Sequence, residues 1–148
     1  MSAPARTQPD PDPEDAPDRL RVRVPARLDA ITPAVDHVMS TLAGLVCTRG
    51  KEFEIETALR EALANAIRHG CGNDATKAVE VLVGCDGDDE LVIVVRDPGP
   101  GFDPALVPSP TVGPNVYRHH GRGIYLINQL MDEVSFRRNG AEIRMRKR

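Results

Sequence analysis

The sequence predicts an α/β fold, a two-layer sandwich in which a mainly antiparallel mixed sheet is covered on one face by three helices. Three observations predict it. Val79 to Val95 around Asp86-Gly-Asp-Asp89, and the closing segments around Asn139-Gly140, read as hairpins, which make antiparallel pairs. Three other stretches repeat apolar residues at helical spacing. The order is strand, helix, helix, hairpin, long loop, helix, hairpin, and helices laid on one face of such a sheet would bury both sets of apolar side chains.

The elements follow in turn. Residues 1–18 mix Pro4, Pro9, Pro11, Pro13 and Pro17 with Asp10, Asp12, Glu14, Asp15 and Asp18, and hold no large aliphatic residue after Met1. That composition cannot bury enough surface to offset its ordering entropy, so a disordered tail is expected there and one folded domain over 19–148. Leu20-Arg-Val-Arg-Val24 alternates as a half-buried strand does. Ile31, Val35, Val38, Met39, Leu42, Leu45 and Val46 predict a helix that tolerates Pro33 in its first turn and stops at Gly50. A second helix is expected over 52–69, capped by Gly70. Its apolar arc is Ile55, Ala58, Leu59, Ala62, Leu63, Ala66 and Ile67; Asn65 stands near the margin of that arc and Glu61 further round, where a residue lining a cleft would sit.

Val79, Val81 and Val83 then alternate, whereas Leu91-Val-Ile-Val-Val95 is apolar throughout and predicts a strand buried on both faces. Six prolines, from Pro98 to Pro114, interrupt the stretch between Asp97 and His120, and a loop of that length in a compact domain is usually functional or disordered. A short helix carrying Ile124, Ile127, Leu130 and Met131 is expected to open at Gly121-Arg-Gly123 and to lead into the closing hairpin.

Bulk properties exclude several classes. At 148 residues the chain is one domain's worth of sequence. A net charge of -3 and only 3% aromatic residues, with no Trp, argue against direct nucleic-acid binding. The clustered Arg137, Arg138, Arg144, Arg146, Lys147 and Arg148 read as a solvated strand face. Cys47, Cys71 and Cys85 form no C-x-x-C pair and read as three free thiols of a reducing compartment. No segment approaches the roughly 18 apolar residues of a membrane span and no signal peptide stands at the start, so a soluble, cytoplasmic protein with no membrane partner is expected.

The chemistry concentrates in three places. Glu61 and Asn65, one helical turn apart, project in nearly the same direction and could hold a nucleophile and a metal ion side by side. The Asn65 oxygen is a hard ligand of the kind Mg²⁺ accepts, and Glu61 could take the proton of an attacking hydroxyl or water. Asp97 follows a buried strand and precedes Gly99 and Gly101; an ionised carboxylate only accepts hydrogen bonds, so it favours the amino edge of adenine over the oxygen edge of guanine. Gly121, Arg122 and Gly123 at a helix start would offer backbone amides to phosphates. Arg68 and Arg118 are further candidate phosphate partners. Neither a G-x-G-x-x-G turn, a G-x-x-x-x-G-K-[ST] loop nor the H-R-D and D-F-G signatures occur. His69, Cys71, His119 and His120 lack zinc-framework spacing.

In this order the three motifs resemble the GHKL ATPases of the Bergerat fold, Glu61 to Asn65 as the N box, Asp97-Pro-Gly-Pro-Gly101 as the first glycine box and Gly121-Arg-Gly123 as the second. Asn65-Ala-Ile-Arg-His-Gly70 and the run from Gly123 to Val134 are most similar to the bacterial anti-sigma-factor serine/threonine kinases. The resemblance implies ATP and Mg²⁺ as cofactors, Glu61 as catalytic base, Asn65 as metal ligand, Asp97 as adenine reader and an ATP lid between Asp103 and His120. It also implies a STAS-type anti-anti-sigma protein as substrate, a sigma factor as second partner and a homodimer as assembly. Gly140-Ala141 stands where many members place Gly-Thr. Gyrase-type relatives carry further domains, and His37 lacks the Glu and Pro that follow a histidine-kinase phosphoacceptor. The competing readings are a module that binds ATP only to sequester a partner, without phosphotransfer, and a histidine-kinase-like ATPase of another signalling complex.

Overall fold

A computed structural model describes residues 17, 19–87, 89–99 and 118–148, the side chains of 118–122 excepted. The expected tail, Pro17 apart, lies outside the described residues, as do Gly101 and the expected lid up to residue 117. Five strands form one sheet: β1 (Leu20–Pro25), β2 (Ala78–Asp86), β3 (Glu90–Arg96), β4 (Glu133–Arg137) and β5 (Glu142–Lys147), in the spatial order β1-β2-β3-β5-β4. All four pairings are antiparallel, with Val22 opposite Val81, Val81 opposite Val95, Ile93 opposite Met145 and Val134 opposite Met145. Helices α1 (Ile31–Leu42), α2 (Glu52–Asn65) and α3 (Arg118–Leu130) complete the predicted two-layer α/β fold.

The strand pattern explains the layers. Val79, Val81, Val83, Leu91, Ile93, Val95, Ile143 and Met145 alternate onto one face and are buried against Val35, Val38, Leu42, Ile55, Leu59, Leu63 and Ile127 of the helices. β3 is buried on both faces as its unbroken apolar run predicts, Val92 and Val94 joining Leu82 in a small second cluster on the far face. Charged residues occupy the rest of that face. Arg21 and Arg96 both pair with Glu80, Arg96 also bonds the fully buried Glu142, and Arg146 bridges Asp86 and Glu90 at 2.9 and 2.6 Å. Of the clustered C-terminal basic residues, Arg146 and Arg148 are therefore held in ion pairs with carboxylates of other strands, Lys147 donates to the Leu130 carbonyl, and Arg144 is buried rather than solvated.

Several local expectations need correction. α1 stops at Leu42, eight residues short of Gly50, because Gly44 takes a left-handed φ of 83° and the buried Thr48 hydroxyl donates to the Leu42 carbonyl at 2.8 Å, satisfying an end that would otherwise propagate. Val46, which continues the helical spacing, is consequently exposed. α2 does not run unbroken to Gly70; it widens into a π-helical turn over Ala66–Gly70, and the left-handed residues that end it are Gly72 and Asn73. The three cysteines are not all free. Cys47, in the turn after α1, and Cys85, near the end of β2, are disulfide-bonded with Cα atoms 6.0 Å apart, and Cys71 alone is a free, buried thiol. Two cysteines 38 residues apart in sequence meet only through tertiary packing, which their spacing does not report.

Candidate nucleotide site

α2 enters with Glu52 and Glu54 in its first turn, where carboxylates complement the helix dipole, and its Ile55, Ala58, Leu59, Ala62 and Leu63 stripe fixes its rotation against the sheet. That rotation leaves Glu61 and Asn65 half-buried on the side facing α3. Neither side chain has a hydrogen bond among the described residues. Gly123 of α3 crosses directly over the pair: a Cβ there would stand 2.8 Å from Asn65 Nδ2 and 3.1 Å from Glu61 Oε2. The two polar ends therefore converge on one point.

Asp97 sits one residue beyond β3. Its backbone N–H donates to the Ala141 carbonyl at 2.9 Å, tying it to the terminal hairpin, and its Oδ1 accepts the Gly99 N–H at 2.8 Å. Burial pushes its carboxyl pKa up, and the Gly99 bond only partly offsets that. Backbone packs tightly around this carboxyl. A Cβ at Gly70 would collide with the Asp97 carboxylate and one at Gly99 with the Gly70 carbonyl, so both positions are glycine for close approach. Burial, followed by the negative charge of Asp97, raises the pKa of the nearby Cys71 thiol.

Asp97, Asn65, His69 and Gly70 line one cavity, whose walls are the apolar Ala62, Ala66, Val95, Ile124, Phe136 and Ile143. A mainly apolar cavity with the Asp97 acceptor in its lining suits a purine ring bearing an amino group. His69 and Phe136 were not among the expected site residues. Phe136 is visible in sequence only as one more alternating strand residue, and His69 only as part of a rejected metal pattern. Gly121-Arg-Gly123 does not open its helix, since α3 already includes residues 118–120, and Gly123 serves instead as the close-contact point over Glu61 and Asn65. The Arg122 side chain and Gly101 lie outside what the structure describes.

A helix-borne Glu/Asn pair, a half-buried Asp just past a strand end and an apolar slot between sheet and helices fit a nucleotide-binding domain of the histidine-kinase type, and the chain belongs to the histidine kinase-like ATPase domain family, whose pattern matches residues 24–147. Among relatives, the Serine-protein kinase RsbW of Bacillus pumilus (strain SAFR-032) is 31% identical over 146 residues, spanning 88% of this chain and 85% of that one. The Serine-protein kinase RsbW of Staphylococcus aureus (strain JH9) is 28% identical over 147 residues, spanning 88% and 86%. The histidine kinase domain from Erythrobacter litoralis EL346 blue-light activated histidine kinase superposes with a TM-score of 0.47 at 16% identity, over 88% of this chain and 62% of that one, so the chain spans less than two thirds of its length. Among the described residues no helix is long and apolar enough to cross a membrane.

Proposed function

We propose that this chain is a cytoplasmic, ATP-dependent serine/threonine kinase that phosphorylates a STAS-type anti-anti-sigma protein and, in its other partner state, binds a sigma factor. The observation that carries the reading is the convergence of Glu61 and Asn65 beneath Gly123, beside the cavity that ends at Asp97. The RsbW relatives support it by name. In this reading Asp97 accepts the adenine amino group, Gly99 and Gly101 let backbone approach the base, and Gly121, Arg122 and Gly123 lie along the phosphates. Asn65 offers a hard oxygen with no competing hydrogen bond among the described residues, which fits Mg²⁺, an ion that takes few protein ligands beside phosphate oxygens. When bound, that ion would neutralise phosphate charge.

Glu61 supplies the proton chemistry. The acceptor hydroxyl gives its proton to the Glu61 carboxylate as its oxygen bonds the γ-phosphorus, and the bond from that phosphorus to the β-phosphate oxygen breaks, ADP leaving with the electron pair. Homodimer assembly belongs to the same reading. The test is transfer of label from γ-labelled ATP to a purified STAS-domain protein encoded beside this chain's gene, read as acid-stable phosphoserine. Absence of transfer to any such protein overturns the kinase assignment.

A further inference from the structure

Glu61 also faces away from the base cavity. On that side lies a groove of about 520 Å³ bounded by Leu28 and Ile31 around the start of α1, by Arg60, Glu61 and Arg68 along α2 and the following turn, and by Leu126 of α3. Asn65 is absent from its lining and belongs to the base cavity, so the two cavities meet at this one helical turn. The groove's floor is apolar, with Leu28 43% exposed. Its rim carries two guanidinium groups against one carboxylate. Arg60 Nη1 donates to the Thr32 hydroxyl at 3.0 Å, which steers it along the groove, and Arg68 is exposed with no ion pair among the described residues.

The geometry points to this groove as the seat of the phosphate acceptor: an acidic, hydroxyl-bearing segment of the partner protein. The inference rests on the kinase reading above. An apolar side chain of the segment covers Leu28 and Leu126, its carboxylates meet Arg60 and Arg68, and its hydroxyl faces Glu61. Charge selects the occupant. A basic segment would bring like charge against both guanidiniums, whereas an acidic one pairs with them and leaves Glu61 to the neutral hydroxyl. The volume is that of a small-ligand cleft, so it admits a short segment and not a whole domain.

The test uses the full chain and three fluorescent synthetic peptides sharing a Leu-Ser core with acidic, neutral or basic flanks. Binding is read by anisotropy in the presence of a non-hydrolysable ATP analogue, and transfer by acid-stable label on the serine. The acidic peptide should bind about tenfold more tightly than the basic one, as two partly exposed charge pairs allow. Arg60→Glu with Arg68→Glu should reverse that order, a ratio that a general loss of folding or of ATP affinity does not move. Leu28→Asn should weaken every peptide and leave the Kd for ATP unchanged. The proposal is overturned if no peptide binds, if flanking charge makes no difference, or if the double variant keeps the wild-type order. Peptides that bind with the expected order but acquire no label, alongside a STAS protein that is not phosphorylated, would overturn the kinase reading and keep the groove; a phosphorylated STAS protein with no flank preference among the peptides would do the reverse.

Discussion

The two cavities that share the Glu61–Asn65 turn are built on opposite principles. One is a narrow slot with apolar walls, one half-buried carboxylate and, beside that carboxylate, two glycines at which a single added carbon would collide. The other is open, with an apolar floor and arginines on its rim. In the proposed reading, shape and one half-buried acceptor select a rigid ring, because a wrong edge sets an acceptor against the Asp97 carboxylate. Long flexible cations over an exposed apolar strip select by charge and adapt to a chain that varies. In the proposed reading a turn of helix thus separates a site for an invariant ligand from a site suited to a variable one.

The sharpest break between the two comes from Glu61→Gln. It should lower kcat by about 10² to 10⁴ while leaving ATP affinity within a factor of about two, as expected for loss of a general base; equal loss of both in a nucleotide titration would move Glu61 into the binding cavity. Asp97→Asn should act on the slot alone. Loss of a charged hydrogen bond costs about 1.5–3 kcal/mol, hence about 10- to 150-fold in ATP affinity by calorimetry, with less effect on GTP. Gly123→Ala tests the shared turn. Its methyl would press on Asn65 and Glu61 together, so affinity and turnover should both fall, by roughly tenfold each, where the other two variants separate them.

The pH dependence of Asp97 is the subtlest difference. Its folded pKa lies above its unfolded value because burial disfavours the charged form. The folded state therefore binds more protons, and this group's contribution to stability is present at low pH and lost as pH rises through the folded pKa. Nucleotide binding through the ionised form runs the other way and is lost as pH falls through the same value. Asp97→Asn should accordingly raise the melting temperature of the nucleotide-free protein at neutral pH while weakening ATP, and a lower melting temperature would contradict the burial cost. Glu80→Gln, on the far face of the sheet, should give the smallest change. Arg21, then Arg96, hold the Glu80 pKa down, so its contribution is present at neutral pH and fades as pH falls through the lowered value. Being partly exposed, it should cost less than about 1 kcal/mol in a denaturant titration.

Much of this architecture was readable from local pattern. Period-two alternation in Val79, Val81 and Val83, the unbroken run to Val95 and Asn139-Gly140 each specify their own geometry within a few residues, and the hairpins followed. What escaped depends on residues distant in sequence. Thr48 ends α1 from six positions downstream, where continued apolar spacing says nothing of a hydroxyl capping the Leu42 carbonyl. Gly70 reads as a helix cap because caps are the commonest use of glycine there, but its partner is Asp97, brought in by the sheet. The Cys47–Cys85 pairing is equally non-local. Of the site, Glu61, Asn65, Asp97 and Gly99 were legible as motif residues and are brought together, whereas His69, Phe136 and the arginine-rimmed groove needed a third dimension to become neighbours of anything.

β5 enters the sheet between β3 and β4, so the central strand β3 gains its second neighbour only when Leu91 meets Lys147 across a long excursion of chain. Folding speed is set by such remote closures, which makes assembly of this sheet slow relative to that of a helical bundle of equal length. The equilibrium penalty for a longer excursion is mild, about 0.6 kcal/mol for each doubling. By contrast, a one-residue insertion at the start of β5 would shift the register by which it joins β3 to β4 and turn Ile143 and Met145 away from the helices.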